Sequence, residues 1–122
     1  MARASQLVIK LASGLEDPER VAQAFSVAST ALASGIDVSF WLAGEAAWFA
    51  LPGRAEEFSL PHAAPISELL ATLISGGVVT LCTQCAVRRK INEGDQIVGI
   101  RIAGTATFVE EITREATQAL VY

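Results

Sequence analysis

Apolar residues along this chain switch between the alternating period of a strand and the longer period of a helix, and each switch marks a predicted element. Residues 5–11 (Ser-Gln-Leu-Val-Ile-Lys-Leu) read as a first strand, ended by Gly14 and the acidic pair Glu16 and Asp17. The period then lengthens, and Val21, Ala24, Phe25, Ala28 and Leu32 share one side of a helix. Asp17 is its N-cap, Pro18 takes the first helical position, Glu19 puts negative charge where the dipole favours it, and Gly35 stops it. Residues 36–42 alternate in their first half and end on the bulky Trp41 and Leu42, a second strand closed by Ala43 and Gly44. Strand, helix and strand in so short a span form a right-handed βαβ unit with parallel strands.

Residues 45–51 read as a short helix stopped by Pro52 and Gly53. Residues 54–64 show neither period and are broken by Pro61, so they read as a long surface loop, a candidate lid or subunit contact. Residues 65–75 form a helix with Pro65 near its start and Gly76 and Gly77 at its end. Val78, Val79, Thr80 and Leu81 then make a buried strand, and the polar step Thr83-Gln84 opens a helix that runs to Lys90. A turn over residues 92–96, an alternating strand over 98–102 and a helix from Thr105 carrying Phe108, Val109, Ile112 and Ala116 follow, with a short fifth strand over 119–122. Strands alternating with helices predict an α/β fold: a three-layer α/β/α arrangement with a mainly parallel sheet of about five strands.

At 122 residues and 12.9 kDa the chain has the size of one domain, taken as residues 1–122. Its charged fraction of 18% lies below the roughly 25% of ordinary soluble chains, and its mean hydropathy is +0.43. A domain this small buries only about two-thirds of its unfolded surface, so the apolar excess predicts a homo-oligomer. Net charge of −4 and a pI near 4.9 argue against broad nucleic-acid binding. No apolar run approaches the roughly 20 residues of a membrane helix, and Met1, Ala2 and Arg3 lead directly into the strand pattern rather than a signal peptide. A cytoplasmic chain without membrane or nucleic-acid partners is expected.

In such a chain two cysteines suit reactive or metal-binding thiols better than a structural disulfide. Cys82 and Cys85 sit together at the strand-to-helix corner, the carboxyl end of a strand, where ligands of open α/β sheets collect. The sulfur nearer the helix cap meets more unpaired N–H groups, which makes Cys82 the candidate nucleophile and Cys85 its neighbour in exchange. The plainer alternative is a pair of small apolar residues at a strand end. One C-x-x-C and one histidine fall short of a closed zinc site within one chain, so neither metal nor cofactor is expected. Arg88 and Arg89, with Lys90, either assist the thiol and dock an acidic partner or form a solvated helix end. His62 reads as a proton shuttle or an idle loop residue, Trp41 and Trp48 as pocket walls or core, and Asp17 as a cap within reach of a substrate.

With these residues laid out, the chain resembles the DsrE/DsrF-like family of small sulfur-relay proteins. The resemblance rests on residues 10–20 around the acidic turn, on residues 33–38 entering the second strand, and on Val79-Thr80-Leu81-Cys82 followed by a helix ending in Arg88 and Arg89. In the family's active members a cysteine at the end of that strand carries a persulfide, with arginine about two helical turns on, and Cys82 is the matching position. Where that arginine is usually followed by glycine, this chain has Lys90. The resemblance implies a parallel-sheet layer structure assembling as a homotrimer or homohexamer. It also implies a sulfur carrier, or sulfurtransferase, that takes sulfur from a donor protein and passes it to an acceptor protein. Alternatives are a dithiol redox protein using Cys82 and Cys85, in which Cys85 attacks a persulfide on Cys82, and an oligomeric binding module with inert thiols.

Overall fold

A computed structural model describes residues 3–122; Met1 and Ala2, which the sequence reading used to argue against a signal peptide, lie outside the described residues. Five strands, β1 (Gln6–Leu11), β2 (Asp37–Leu42), β3 (Val78–Cys82), β4 (Arg101–Ala103) and β5 (Thr117–Val121), form one sheet in the order β4-β3-β2-β1-β5. Every neighbouring pair is parallel. Helices α1 (Pro18–Ala33), α2 (Ile66–Gly76), α3 (Thr83–Arg88) and α4 (Thr105–Ile112) supply the crossovers.

The cap read from the sequence is formed: the Arg20 N–H donates to Asp17 Oδ1 at 3.3 Å, and Pro18 opens α1. Val21, Ala24, Phe25, Ala28 and Ala31 make its buried stripe, so α1 lies flat on the sheet. Because side chains alternate along a strand, Leu7, Ile9, Leu11, Val38, Phe40, Leu42, Val79 and Leu81 all meet that layer. Phe25 is the hub, with ring centroids 4.8 Å from Phe40 and 6.3 Å from Phe49.

The opposite sheet face carries Val8, Ser39, Trp41, Thr80 and Arg101, and α4 crosses it. Phe108 meets Trp41 edge-on at 5.3 Å, and the Lys10 ammonium lies 4.1 Å from the Phe108 centroid. Glu111, buried under the same helix, accepts from Ser39 Oγ at 2.6 Å and Trp41 Nε1 at 3.0 Å and pairs with Arg101. Burial alone would raise its pKa, but these three donors and the Arg101 charge outweigh it, and the carboxyl is held below its ordinary value.

The short helix read after β2 is formed by residues 44–50 as a 3-10 helix, packed through Ala46, Ala47 and Phe49. Other local readings change. The loop over 54–64 holds a 3-10 turn, Ala55–Glu57, with Ala55 and Phe58 buried beneath it. The fourth strand is three residues long and starts at Arg101, because Gly99 turns the chain at φ +100° and leaves Val98 exposed. Likewise α4 stops at Ile112, short of Ala116, which sits in a left-handed conformation before β5. Among the described residues no helix is long and apolar enough to cross a membrane.

Candidate functional site

Parallel strands deliver their carboxyl ends, and the loops that follow them, to one edge of the sheet. Cys82 ends β3 there and occupies the N-cap of α3, making no side-chain cap bond. Its backbone pairs with Ala103, and Gly104, which precedes α4, lies against Thr83 and Gln84. Cys85 lies in the first turn of α3 and packs inward with Ala86. Both thiols are free, and each keeps under a tenth of its surface exposed, Cys82 8% and Cys85 9%.

The two sulfurs have different partners. Cys82 Sγ donates to Gln84 Oε1 at 3.7 Å, a contact that only the protonated thiol makes. Rotating that amide would present its NH2 group to an anionic sulfur instead. Cys85 Sγ is an acceptor: the Gly44 N–H donates to it at 3.1 Å. Because α3 has six residues, its dipole is modest, and specific donors such as Gly44 contribute the directed stabilisation.

Gly44 can aim that N–H because its backbone is pinned. It stands at φ +50°, and a Cβ there would collide with the Ala12 carbonyl oxygen at the end of β1. The next residue, Glu45, donates its N–H to the same oxygen at 3.2 Å. Its carboxylate Oε2 then receives Arg89 Nη2 at 2.6 Å and Nε at 3.0 Å, while Arg89 Nη1 donates to the Cys85 carbonyl at 3.2 Å. The turn after β2 therefore grips α3 twice, at the Cys85 sulfur and at Arg89.

Arg89 is bonded to the Cys85 carbonyl on the helix that Cys82 caps, while Arg88 is exposed to solvent. Lys90 ends α3 at φ +57°, with the Ile91 N–H bonded back to the Ala86 carbonyl, a helix stop that normally uses glycine. His62 lines a separate groove along α1 with Glu19 and Gln23, and Asp17 is engaged in capping and with Arg20 at 3.2 Å. Trp41 is core beneath α4, whereas Trp48 walls a cavity at the same sheet edge. Sequence reasoning missed Gly44, Glu45 and Gln84. The glycine after β2 and the glutamine inside the C-x-x-C were the only signals, and neither indicates its partner. Among the described residues no group of three or more histidine, cysteine or acidic side chains is placed to hold a metal ion.

Comparison with known proteins agrees with this fold. The DsrE/DsrF-like family profile matches residues 6–120. An uncharacterized protein, MJ0760 of Methanocaldococcus jannaschii, is 27% identical over 110 residues, covering 89% of this chain. This chain spans about 40% of the length of that curated relative. Among solved structures, the ychN protein of E. coli superposes with a TM-score of 0.76 at 17% identity, covering 98% of this chain and 99% of that one. MTH1491 of Methanobacterium thermoautotrophicum, described as a protein of unknown function, gives 0.70 at 15% identity, covering 96% and 98%. At these identities the two structures speak to the fold.

Proposed function

This chain belongs to the DsrE/DsrF-like family, linked in general to sulfur metabolism, and from that premise we propose that it is a sulfur carrier that holds a persulfide on Cys82. The observation that supports the reading is the presence of two free thiols at the carboxyl edge of a parallel sheet, Cys85 accepting the Gly44 N–H and Cys82 beside the Gln84 amide.

In the first step the Cys82 thiolate attacks the sulfane sulfur of a donor's persulfide. A new S–S bond forms on Cys82, the donor's S–S bond breaks, and the donor cysteine leaves as a thiolate. In the second step a thiolate on the acceptor protein attacks the outer sulfur, takes it as its own persulfide, and releases Cys82 as a thiolate. Gln84 turns its NH2 toward the charged sulfur, and Arg89 holds the Cys85 turn in place. The assembly that accompanies this reading is a homotrimer or homohexamer. Exposed Val78, Val109 and Val121 on the α4 side of the sheet support it, since all-parallel sheets are ordinarily covered on both faces.

Intact mass spectrometry after mixing with a persulfidated donor protein tests the assignment. The wild type gains one sulfur and Cys82→Ser gains none. Undiminished gain in Cys82→Ser, or no gain in the wild type, removes the proposal.

A dithiol redox role is the second reading, favoured by the Gly44 N–H that Cys85 accepts. Attack of the Cys85 thiolate on the inner sulfur of a Cys82 persulfide would form the Cys82–Cys85 disulfide and expel hydrosulfide. Under this reading Cys85→Ser lengthens the persulfide's lifetime, and a glutathione titration of the wild type gives a reversible intramolecular disulfide. An unchanged lifetime and no such disulfide leave the carrier reading alone.

A further inference from the structure

The geometry points to a second recognition element beside the cysteines: a cavity against Trp48 that seats a basic side chain, lysine or arginine, of the protein exchanging sulfur with this chain. This rests on the carrier reading for the partner's identity, and on the cavity itself for the chemistry. The cavity measures about 200 Å³ and opens at the same sheet edge as Cys82. That is below the roughly 300–1,000 Å³ of sites for drug-sized ligands, so it fits one long side chain rather than a nucleotide.

Its walls are aromatic and its rim is acidic. Trp48 and the buried Phe49 face it, with Glu16, Glu45 and Glu57 around them and Arg54 as the one cation. Among the described residues neither Glu16 nor Glu57 enters an ion pair, and the Glu45 carboxylate is shared with Arg89. The Arg54 guanidinium lies 4.9 Å from the Trp48 centroid, within the range at which a cation is held by a ring face. The chain thus already seats a cation of its own on this aromatic wall. A partner's ammonium or guanidinium takes that place, its stem along Trp48 and its charge among the carboxylates, while Arg54 moves out to solvent. Glu45 ties the seat to the chemistry, because the Arg89 that it holds is bonded to the Cys85 carbonyl.

Binding is testable without sulfur transfer. The probe is an acetylated, amidated tetrapeptide with one lysine and serine in place of cysteine, titrated into the full chain and followed by tryptophan fluorescence and by the Trp48 indole N–H signal. Saturable binding is expected, about tenfold weaker when norleucine replaces lysine. Glu57→Gln weakens it about threefold, and 0.5 M salt (roughly a 4 Å screening length) weakens it further. Arg54→Gln removes the internal competitor and tightens binding, a gain that a purely structural role for Arg54 would not produce. Equal binding of the norleucine peptide, or no gain in Arg54→Gln, overturns the proposal. If n-butylamine alone binds as tightly as the peptide, the cavity is a free-amine site and the docking assignment fails. Cys82→Ser retains peptide binding, and a wild type that binds the lysine peptide yet gains no sulfur from a persulfidated donor counts against the carrier reading alone. Transfer without lysine-dependent binding counts against the cavity alone.

Discussion

Gly44 and Cys85 lie 41 positions apart in sequence and are joined by one hydrogen bond, Gly44 N–H to Cys85 Sγ at 3.1 Å. That bond ties the loop after β2 to the helix after β3, and it makes a glycine without a side chain part of the thiol's surroundings. Gly44→Ala forces a Cβ against the Ala12 carbonyl and leaves alanine at a positive φ. A loss of about 2 kcal/mol in stability is expected from urea unfolding. Cys85 should be labelled by iodoacetamide faster than in the wild type, under conditions where the variant is still folded.

The Glu45–Arg89 ion pair separates stability from access. Glu45 is half-exposed, so Glu45→Gln should change unfolding free energy by no more than about 1 kcal/mol. Yet Arg89 also holds the Cys85 carbonyl, and freeing it loosens the turn that covers the sulfur. Peptide mapping after alkylation should show Cys85 labelled severalfold faster in Glu45→Gln and in Arg89→Met, with Arg88→Met unchanged. Equal rates in all three would mean that the ion pair does not control access.

Lys90 stands where a helix end favours glycine. At φ +57° a lysine pays steric strain that glycine avoids, and its side chain makes no ion pair among the described residues. Lys90→Gly should therefore raise stability by roughly 0.5–1 kcal/mol, less glycine's larger unfolded-state entropy, and raise the melting temperature. A lower melting temperature would show that the lysine contributes something its backbone does not reveal.

Glu111 makes the fold acid-sensitive. Its folded carboxyl lies below the ordinary value of 4.5, so its contribution to stability is fully present above that pH and is lost as pH falls through the folded value. Urea midpoints measured from neutral pH down to about pH 3 should fall along that limb. In Glu111→Gln the unfolding free energy at neutral pH drops by about 2 kcal/mol for the lost charged hydrogen bonds, which lowers the urea midpoint, and this part of the acid limb flattens.

The crossover α1 and strands β1, β2 and β3 were legible because local signals agreed: Asp17-Pro18 as a start, Gly35 as a stop, and glycines before a β-branched run at Val78 and Val79. The corner that carries both cysteines was legible for the same reason. What the sequence reading lacked were partners made only by tertiary approach. Glu111 looks like an exposed helix residue until Ser39, Trp41 and Arg101 are brought beneath it, and no period of hydrophobicity encodes that. The fourth strand was drawn too long because Val98, Ile100 and Ile102 alternate, but Gly99 turns the chain and leaves Val98 in solvent. Gly44 and Glu45 read as the end of a strand and the start of a helix, which is true of their backbone and silent about Cys85 and Arg89.

The position of β1 has a consequence for the order in which this sheet can be built. It lies between β2, which follows it after one helix, and β5, whose Thr117 is 111 residues beyond its partner Gln6. On the ribosome the β1–β2–β3 ladder can assemble while β1 still presents a bare row of amides and carbonyls. That row is satisfied only when residues 117–121 have left the exit tunnel. Until then the nascent chain carries an adhesive edge along β1, and β5 acts as the stopper.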